Sequence, residues 1–247
     1  MRAQLRSEFL KLSSTRTILG LSAAMLGLVL LVTLLHAFSL STTDVASRSG
    51  QVRVLVEGGE LVGALFAGLL GAMSLTGEFR HGTIRPTFLV TPRRDRVIAA
   101  KMAASALTGF VLGLMATALA AAAGTLALAA RGVTVQLDSG NYVVLLVGGA
   151  AAASLWAVIG LGLGAIVRNQ VAAIVGLCVW LLFIENLLVD SLPGVSRYAP
   201  GVLGRAITGQ QAGTLHTPAL AALLLILYAA AAAAAAGWPA ITRRDVD

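Results

Sequence analysis

This sequence is short of charge. Of its 247 residues, 12% are Asp, Glu, Lys or Arg, about half the share that a soluble domain carries. A chain of this length can form one soluble domain, but here there is too little polar surface to cover its core. Cysteine is scarcer still. The single one, Cys178, sits inside an apolar run, which excludes a disulfide framework and a cysteine metal site and leaves it as a small filler. Only two lysines occur, Lys11 and Lys101, and neither follows a glycine. The P-loop pattern G-x-x-x-x-G-K-S/T is therefore absent, and the chain is not built to grip ATP by that loop. The three histidines, His36, His81 and His216, fall in separate segments and form no pair of metal-ligand spacing. There is no G-x-S-x-G elbow, and no apolar run offers two carboxylates on one face. Together these absences argue against catalysis by this chain alone, by an intramembrane enzyme included.

What is present is apolar length. Hydrophobic residues make up 57% of the chain, gathered into runs at 18–38, 61–77, 102–130, 142–167, 170–189 and 218–241. About 20 apolar residues cross the hydrocarbon of a bilayer, so each run reads as a transmembrane helix, the 29-residue run 102–130 with room to tilt. The first run exceeds the roughly 7–15 residues of a signal-peptide core, which makes a cleaved leader the poorer alternative. Ahead of it, residues 2–16 place Leu5, Phe9 and Leu12 on one side of a helix and Gln4, Ser7, Lys11 and Ser14 on the other. That pattern suits a helix lying in the headgroup region. Residues 39–60, with Asp44, Arg48, Arg53, Glu57 and Glu60, read as a polar loop closed by Gly58-Gly59. The Pro- and Gly-rich segment 190–217 reads as an outer connection, part of which can dip back into the membrane. His36 reads as an interfacial residue. The small-residue spacings Gly109–Gly113 and Gly160–Gly164, and the alanine run 229–236, favour close helix packing without defining a dimer face. No internal repeat marks the inverted halves of many secondary transporters.

Six spans place both termini on one side. Thirteen of the eighteen Lys and Arg residues fall on that side and five on the other. By the positive-inside rule both termini and the loop 78–101 are cytoplasmic. The net charge of +7 is explained by this topology, because the basic residues sit between apolar runs and not on a polar surface suited to nucleic acid.

The loop 78–101 carries Arg80, Arg85, Arg93, Arg94, Arg96 and Lys101 against Glu78 and Asp95. Gly82 permits a sharp departure from the second span. Thr83 is a candidate N-cap, and Pro86 is tolerated in a first turn, predicting a short helix over 83–90 with Ile84 and Phe88 on one face. Thr91-Pro92 is a second helix start, Asp95 complements the dipole of that helix, and the helix runs on into the third span. A short helix rigidly joined to a transmembrane helix is what a force-transmitting contact needs, although any inner loop is basic and capped. The carboxylate of Glu185, about 22 Å along the fifth helix from Gln170, lies either in a substrate path or at the outer interface with Asn186 and Asp190.

The sequence Glu78-Phe79-Arg80-His81-Gly82-Thr83-Ile84-Arg85, continued through Thr91-Pro92 and Lys101, resembles the cytoplasmic loop of ABC-2 type transporter permeases. The likeness extends over nearly the whole chain in its six spans, inward termini and basic N-terminal helix. It implies an all-α integral membrane protein of the bacterial cytoplasmic membrane with an N-terminal amphipathic interfacial helix and a short cytoplasmic coupling helix between helices 2 and 3. It also implies a permease of an ATP-driven exporter, paired with a second copy or a sister permease and with an ATPase subunit that binds ATP and Mg in its place. On this reading the docking contact is carried by Glu78, Arg80, Gly82, Thr83, Ile84, Arg85, Phe88 and Pro92. The alternative from another class is a non-transporting membrane scaffold or sensor whose basic loop binds anionic lipid.

Overall fold

Every regular element among the described residues is helical. The structure, a computed structural model, describes residues 16–80, 82, 94–210 and 215–242. In order, these are α1 (Arg16–Ser39), the short α2 (Thr42–Val45), α3 (Arg48–Arg80), α4 (Arg94–Ala130), α5 (Ser139–Val167), α6 (Gln170–Val179), one π-helical turn (Trp180–Ile184), α7 (Glu185–Ser191), α8 (Pro193–Ser196), α9 (Pro200–Ile207) and α10 (Pro218–Thr242). Six helices are long and apolar enough to cross a membrane: Thr17–Ser39, Arg48–Arg80, Arg96–Ala130, Ser139–Val167, Gln170–Ser191 and Pro218–Ala236. The interfacial helix expected over 2–16 and the coupling helix expected over 83–90 lie outside the described residues, apart from Arg16, which opens α1.

Short polar signals set the turns between spans. The Asp138 side chain accepts the Asn141 backbone N–H at 2.8 Å and starts α5. Asn169 accepts the Ala172 N–H at 3.1 Å and starts α6. Between them Arg168 takes a left-handed conformation, φ 54°, which turns the chain back within two residues.

The second span departs from the sequence expectation. Residues 48–60 are not a loop but the first three turns of α3, which at 33 residues is about 50 Å long. Gly58 and Gly59 do not end a helix; they let α3 touch its neighbours. A Cβ on Gly58 would overlap the Thr33 hydroxyl of α1, and one on Gly59 would lie 2.9 Å from Thr117 Cα of α4. Glycine here serves close approach, and the expected helix break does not occur.

That contact pattern makes α3 the axis of the bundle. Of its most apolar stretch 89% is buried, against 17% for α1 and 22% each for the fifth and last spans. α5 packs along α3, α4 lies against both, α1 covers α3 and α4, and α10 covers α5. Both small-residue motifs are used inside the chain. Gly109 and Gly113 would place Cβ atoms 2.6 Å from the Ala153 carbonyl oxygen and 2.5 Å from Ala153 Cβ, so they seat α4 on α5. Gly160 meets the Gly68 backbone, and a Cβ on Gly164 would lie 2.7 Å from the Ala72 carbonyl oxygen, so they seat α5 on α3.

One end of the bundle is tied by polar contacts. Gln51 donates to the carbonyls of Val45 at 3.1 Å and Thr134 at 2.9 Å and accepts the Gln136 N–H at 2.8 Å. Arg131 donates to the carbonyls of Ala37 and Leu40, and Arg48 donates to Asn141. The segment after α7 joins this end. There α9 is buried along nearly its whole length, and the Tyr228 hydroxyl of α10 donates to the Tyr198 carbonyl at 3.2 Å. Over residues 190–210 the chain is thus partly helical, and α9 is packed into the bundle.

Candidate functional site

Two charged clusters sit in this apolar frame, both built on α3. The first closes the end from which residues 81–93 depart. Glu78, in the last turn of α3, faces Lys101, in the second turn of α4. The ammonium donates to Glu78 Oε1 at 2.6 Å, and both side chains are buried. A buried lysine in an apolar bundle requires such a partner, because an isolated charge there is costly. The pair therefore fastens the end of one span to the start of the next. Around it, Arg80 donates to Gln170 Oε1 at 3.4 Å, and the Arg168 guanidinium stands 5.9 Å over the Phe79 ring. Gly82 has φ +67° and its N–H bonds to the Phe79 carbonyl at 3.3 Å. This is a left-handed helix stop of the kind glycine supplies. Of the residues expected to make a docking contact, Glu78, Arg80 and Gly82 are thus placed at one end of the bundle. Thr83, Ile84, Arg85, Phe88 and Pro92 lie outside the described residues.

The second cluster is farther along α3, about 18 Å from its start at Arg48. Glu60 is 2% exposed, and among the described residues neither carboxylate oxygen has a hydrogen-bond partner. The sequence reading counted Glu60 with a polar loop and missed it. Helical phase offered no signal: Glu60 shares the face of Arg53 and Glu57, opposite the buried Gln51, Leu55, Gly58 and Val62, and it is buried because α3 is enclosed on more than one side at that depth.

Glu185 is the other half of this cluster. It is 1% exposed, enclosed by the chain itself. The π-helical turn before it ends with the Glu185 N–H bonded to the Trp180 carbonyl. Such turns displace the following side chains from regular helical phase and recur at functional sites. Glu185 Oε1 accepts the Trp180 indole N–H and the Gly201 backbone N–H, each at 2.8 Å. Oε2 has no partner among the described residues.

Between the two carboxylates stands α9. A Cβ on Gly201 would collide with Glu185 Oε2, and one on Gly204 with Glu60 Oε1. Gly201 and Gly204 lie one turn apart on one face of α9, and both were read from sequence only as loop signals. The field of Arg205, on the same helix, reaches both carboxylates without a direct ion pair to either. Beside α9 opens a cleft of about 660 Å³ whose lining includes Arg53, Glu57, Arg197, Val202 and Arg205.

Comparison with known proteins agrees with this architecture. The family model described as ABC-2 family transporter protein matches residues 4–185, a range that takes in the first four spans, most of the fifth, and both acidic residues of the second cluster. No curated protein matches the chain significantly. With most of its length under that match and six helices able to cross a membrane, this multi-pass chain belongs to the ABC-2 family of transporter proteins and is a permease.

Proposed function

We propose that the chain is the membrane-spanning subunit of an ATP-driven exporter, working as a dimer with a second permease copy and with separate ATPase subunits that bind ATP and Mg. The observation that carries this reading is the buried Glu78–Lys101 pair. It joins α3 and α4 on either side of residues 81–93, so a push on those residues is delivered to two spans together. By the positive-inside rule this end is cytoplasmic, where an ATPase subunit operates. Closure of the ATPase subunits would press on 83–90, where Ile84, Arg85 and Phe88 offer the contact, and rock α4 against α5.

The test is coupling in the reconstituted complex. Glu78→Ala removes the joint, and Gly82→Pro demands φ near −65° where the chain has +67°. Both variants are expected to insert in the membrane and to hydrolyse ATP without export. Normal coupling in both would overturn the assignment. Binding of the loop to anionic vesicles that disappears at high salt, with no ATPase subunit retained, would favour the scaffold reading.

A further inference from the structure

Resting on the reading that this chain lines a transport path, we propose that Glu60 and Glu185 form a recognition site for a cationic nitrogen, primary amine or guanidinium, on an amphipathic transported molecule.

The first argument is acceptor supply. Three carboxylate oxygens, both of Glu60 and Oε2 of Glu185, have no partner among the described residues, and both side chains are almost wholly buried. An ammonium has three donors and no acceptor, which is the complement of that set. The second argument is spacing. Glu185 Oε2 and Glu60 Oε1 press on one face of α9, overlapping the places a Cβ would take on Gly201 and on Gly204 respectively, two positions one turn apart and about 5–6 Å from each other. A cationic nitrogen that reached both would be held by charge-assisted hydrogen bonds, typically about 2.7–2.9 Å long. The absence of side chains at Gly201 and Gly204 is what keeps this space.

The third argument is charge. With both groups ionised, the two carboxylates and the guanidinium of Arg205 would leave one negative charge for a ligand cation to match. Among the described residues no group of three or more His, Cys, Asp or Glu is placed to hold a metal ion, so an organic cation fits better. The carboxylates lie beneath the surface, and a neighbouring cleft of about 660 Å³ is lined by Glu57, one turn before Glu60, and by Val202 and Arg205 beside the two glycines; a ligand would enter there. An alkyl tail leaving the site would meet the apolar side chains of Leu181 and Leu203, both buried near the cluster.

The protein carries its own reporter, because the Trp180 indole bonds to Glu185. The full chain, with Trp156→Phe and Trp238→Phe, is placed in nanodiscs of phosphatidylcholine and phosphatidylglycerol, which lack primary amines. Titration with n-decylamine is expected to give a saturable change in Trp180 emission that 1-decanol does not give. Glu60→Gln, which leaves the Trp180 bond intact, is expected to weaken decylamine binding at least tenfold, whereas exposed Asp190→Asn leaves it unchanged. Arg205→Gln is expected to tighten binding severalfold by removing the competing cation, a direction that a merely damaging change would not produce. Adding phosphatidylethanolamine separates the sources: competition assigns the amine to a lipid headgroup, and no competition assigns it to a solute. Decylamine binding within twofold of the parent in Glu60→Gln, equal binding of decanol, or weakening by Arg205→Gln would each overturn the proposal. None of these readouts involves the ATPase, so failure here leaves the coupling proposal standing.

Discussion

Glu60 and Glu78 are carboxylates of the same helix, five turns apart, and both are buried. Glu78 meets the Lys101 ammonium at 2.6 Å; Glu60 meets no direct partner among the described residues. The difference separates two uses of charge in an apolar bundle. A matched pair recovers much of its desolvation cost through direct attraction and then resists separation, which suits a mechanical joint. An unmatched carboxylate destabilises the resting state but is available to whatever supplies the missing donors, which suits a binding site.

The largest expected effect tests the joint. Lys101→Ala leaves Glu78 buried without that cation and is expected to cost about 3–5 kcal/mol, read as lowered unfolding free energy in detergent. The double change Glu78→Gln with Lys101→Met, which removes both charges, is expected to recover most of that loss. A double variant as unstable as Lys101→Ala would mean that packing, not charge matching, holds the two helices.

The glycines of the two regions divide the same way. A Cβ at Gly160 meets the backbone of Gly68, which cannot yield, whereas one at Gly204 meets the end of the Glu60 side chain, which can swing. Gly160→Ala is therefore expected to cost about 1–3 kcal/mol as an overpacked contact, and Gly204→Ala clearly less. Thermal unfolding of the two variants side by side checks the order. Equal losses would show the Glu60 carboxylate to be as fixed as backbone.

For Glu60 itself the comparison predicts a change of sign. At a pH high enough to ionise Glu60, Glu60→Gln removes a charge that has no ion pair, so the resting protein should gain stability there, where Lys101→Ala loses it. The gain lies at the low end of the roughly 1–3 kcal/mol attached to an unmatched buried group, because an amide in that place also lacks partners. Destabilisation by Glu60→Gln would break the distinction between the two clusters.

What was legible in the sequence follows from the same physics. Apolar length alone is enough to count spans in a bilayer, so all six appear where the runs are. The start of α3 was hidden because Arg48, Arg53, Glu57 and Glu60, with two glycines between the last two, look like a loop. In the folded chain Arg53, Glu57 and Glu60 share one face of α3, and Glu60, farther along it, is covered by α9 while the other two line the cleft. Hiding the start of the helix also hid its buried carboxylate. Glu185 stood out because the run 171–184 before it is uniformly apolar, but its partners did not. Gly201 and Gly204 are meaningful only once α9 is brought between α3 and α7, and that contact joins residues more than 140 positions apart. Lys101 was read as one of six basic loop residues, because nothing local distinguishes a buried lysine from an interfacial one.

The smallest expected effect comes from the rim, where the same ion types meet water. Glu57 accepts from Arg53 Nε at 2.8 Å and faces His36 Nε2 of α1 at 2.5 Å, a geometry no worse than that of Glu78 and Lys101. The Arg53 side chain, however, is 55% exposed, against 3% for Lys101. Exposed pairs contribute about 0–1 kcal/mol, and screening at physiological salt acts over about 8 Å. Glu57→Gln should accordingly cost less than about 1 kcal/mol, and raising the salt concentration should erase what cost there is. The loss in Lys101→Ala should persist under the same salt, because buried pairs are screened far less. If the two losses fell together as salt rose, solvent would have to reach Lys101, and the joint between α3 and α4 would be no more than another surface contact.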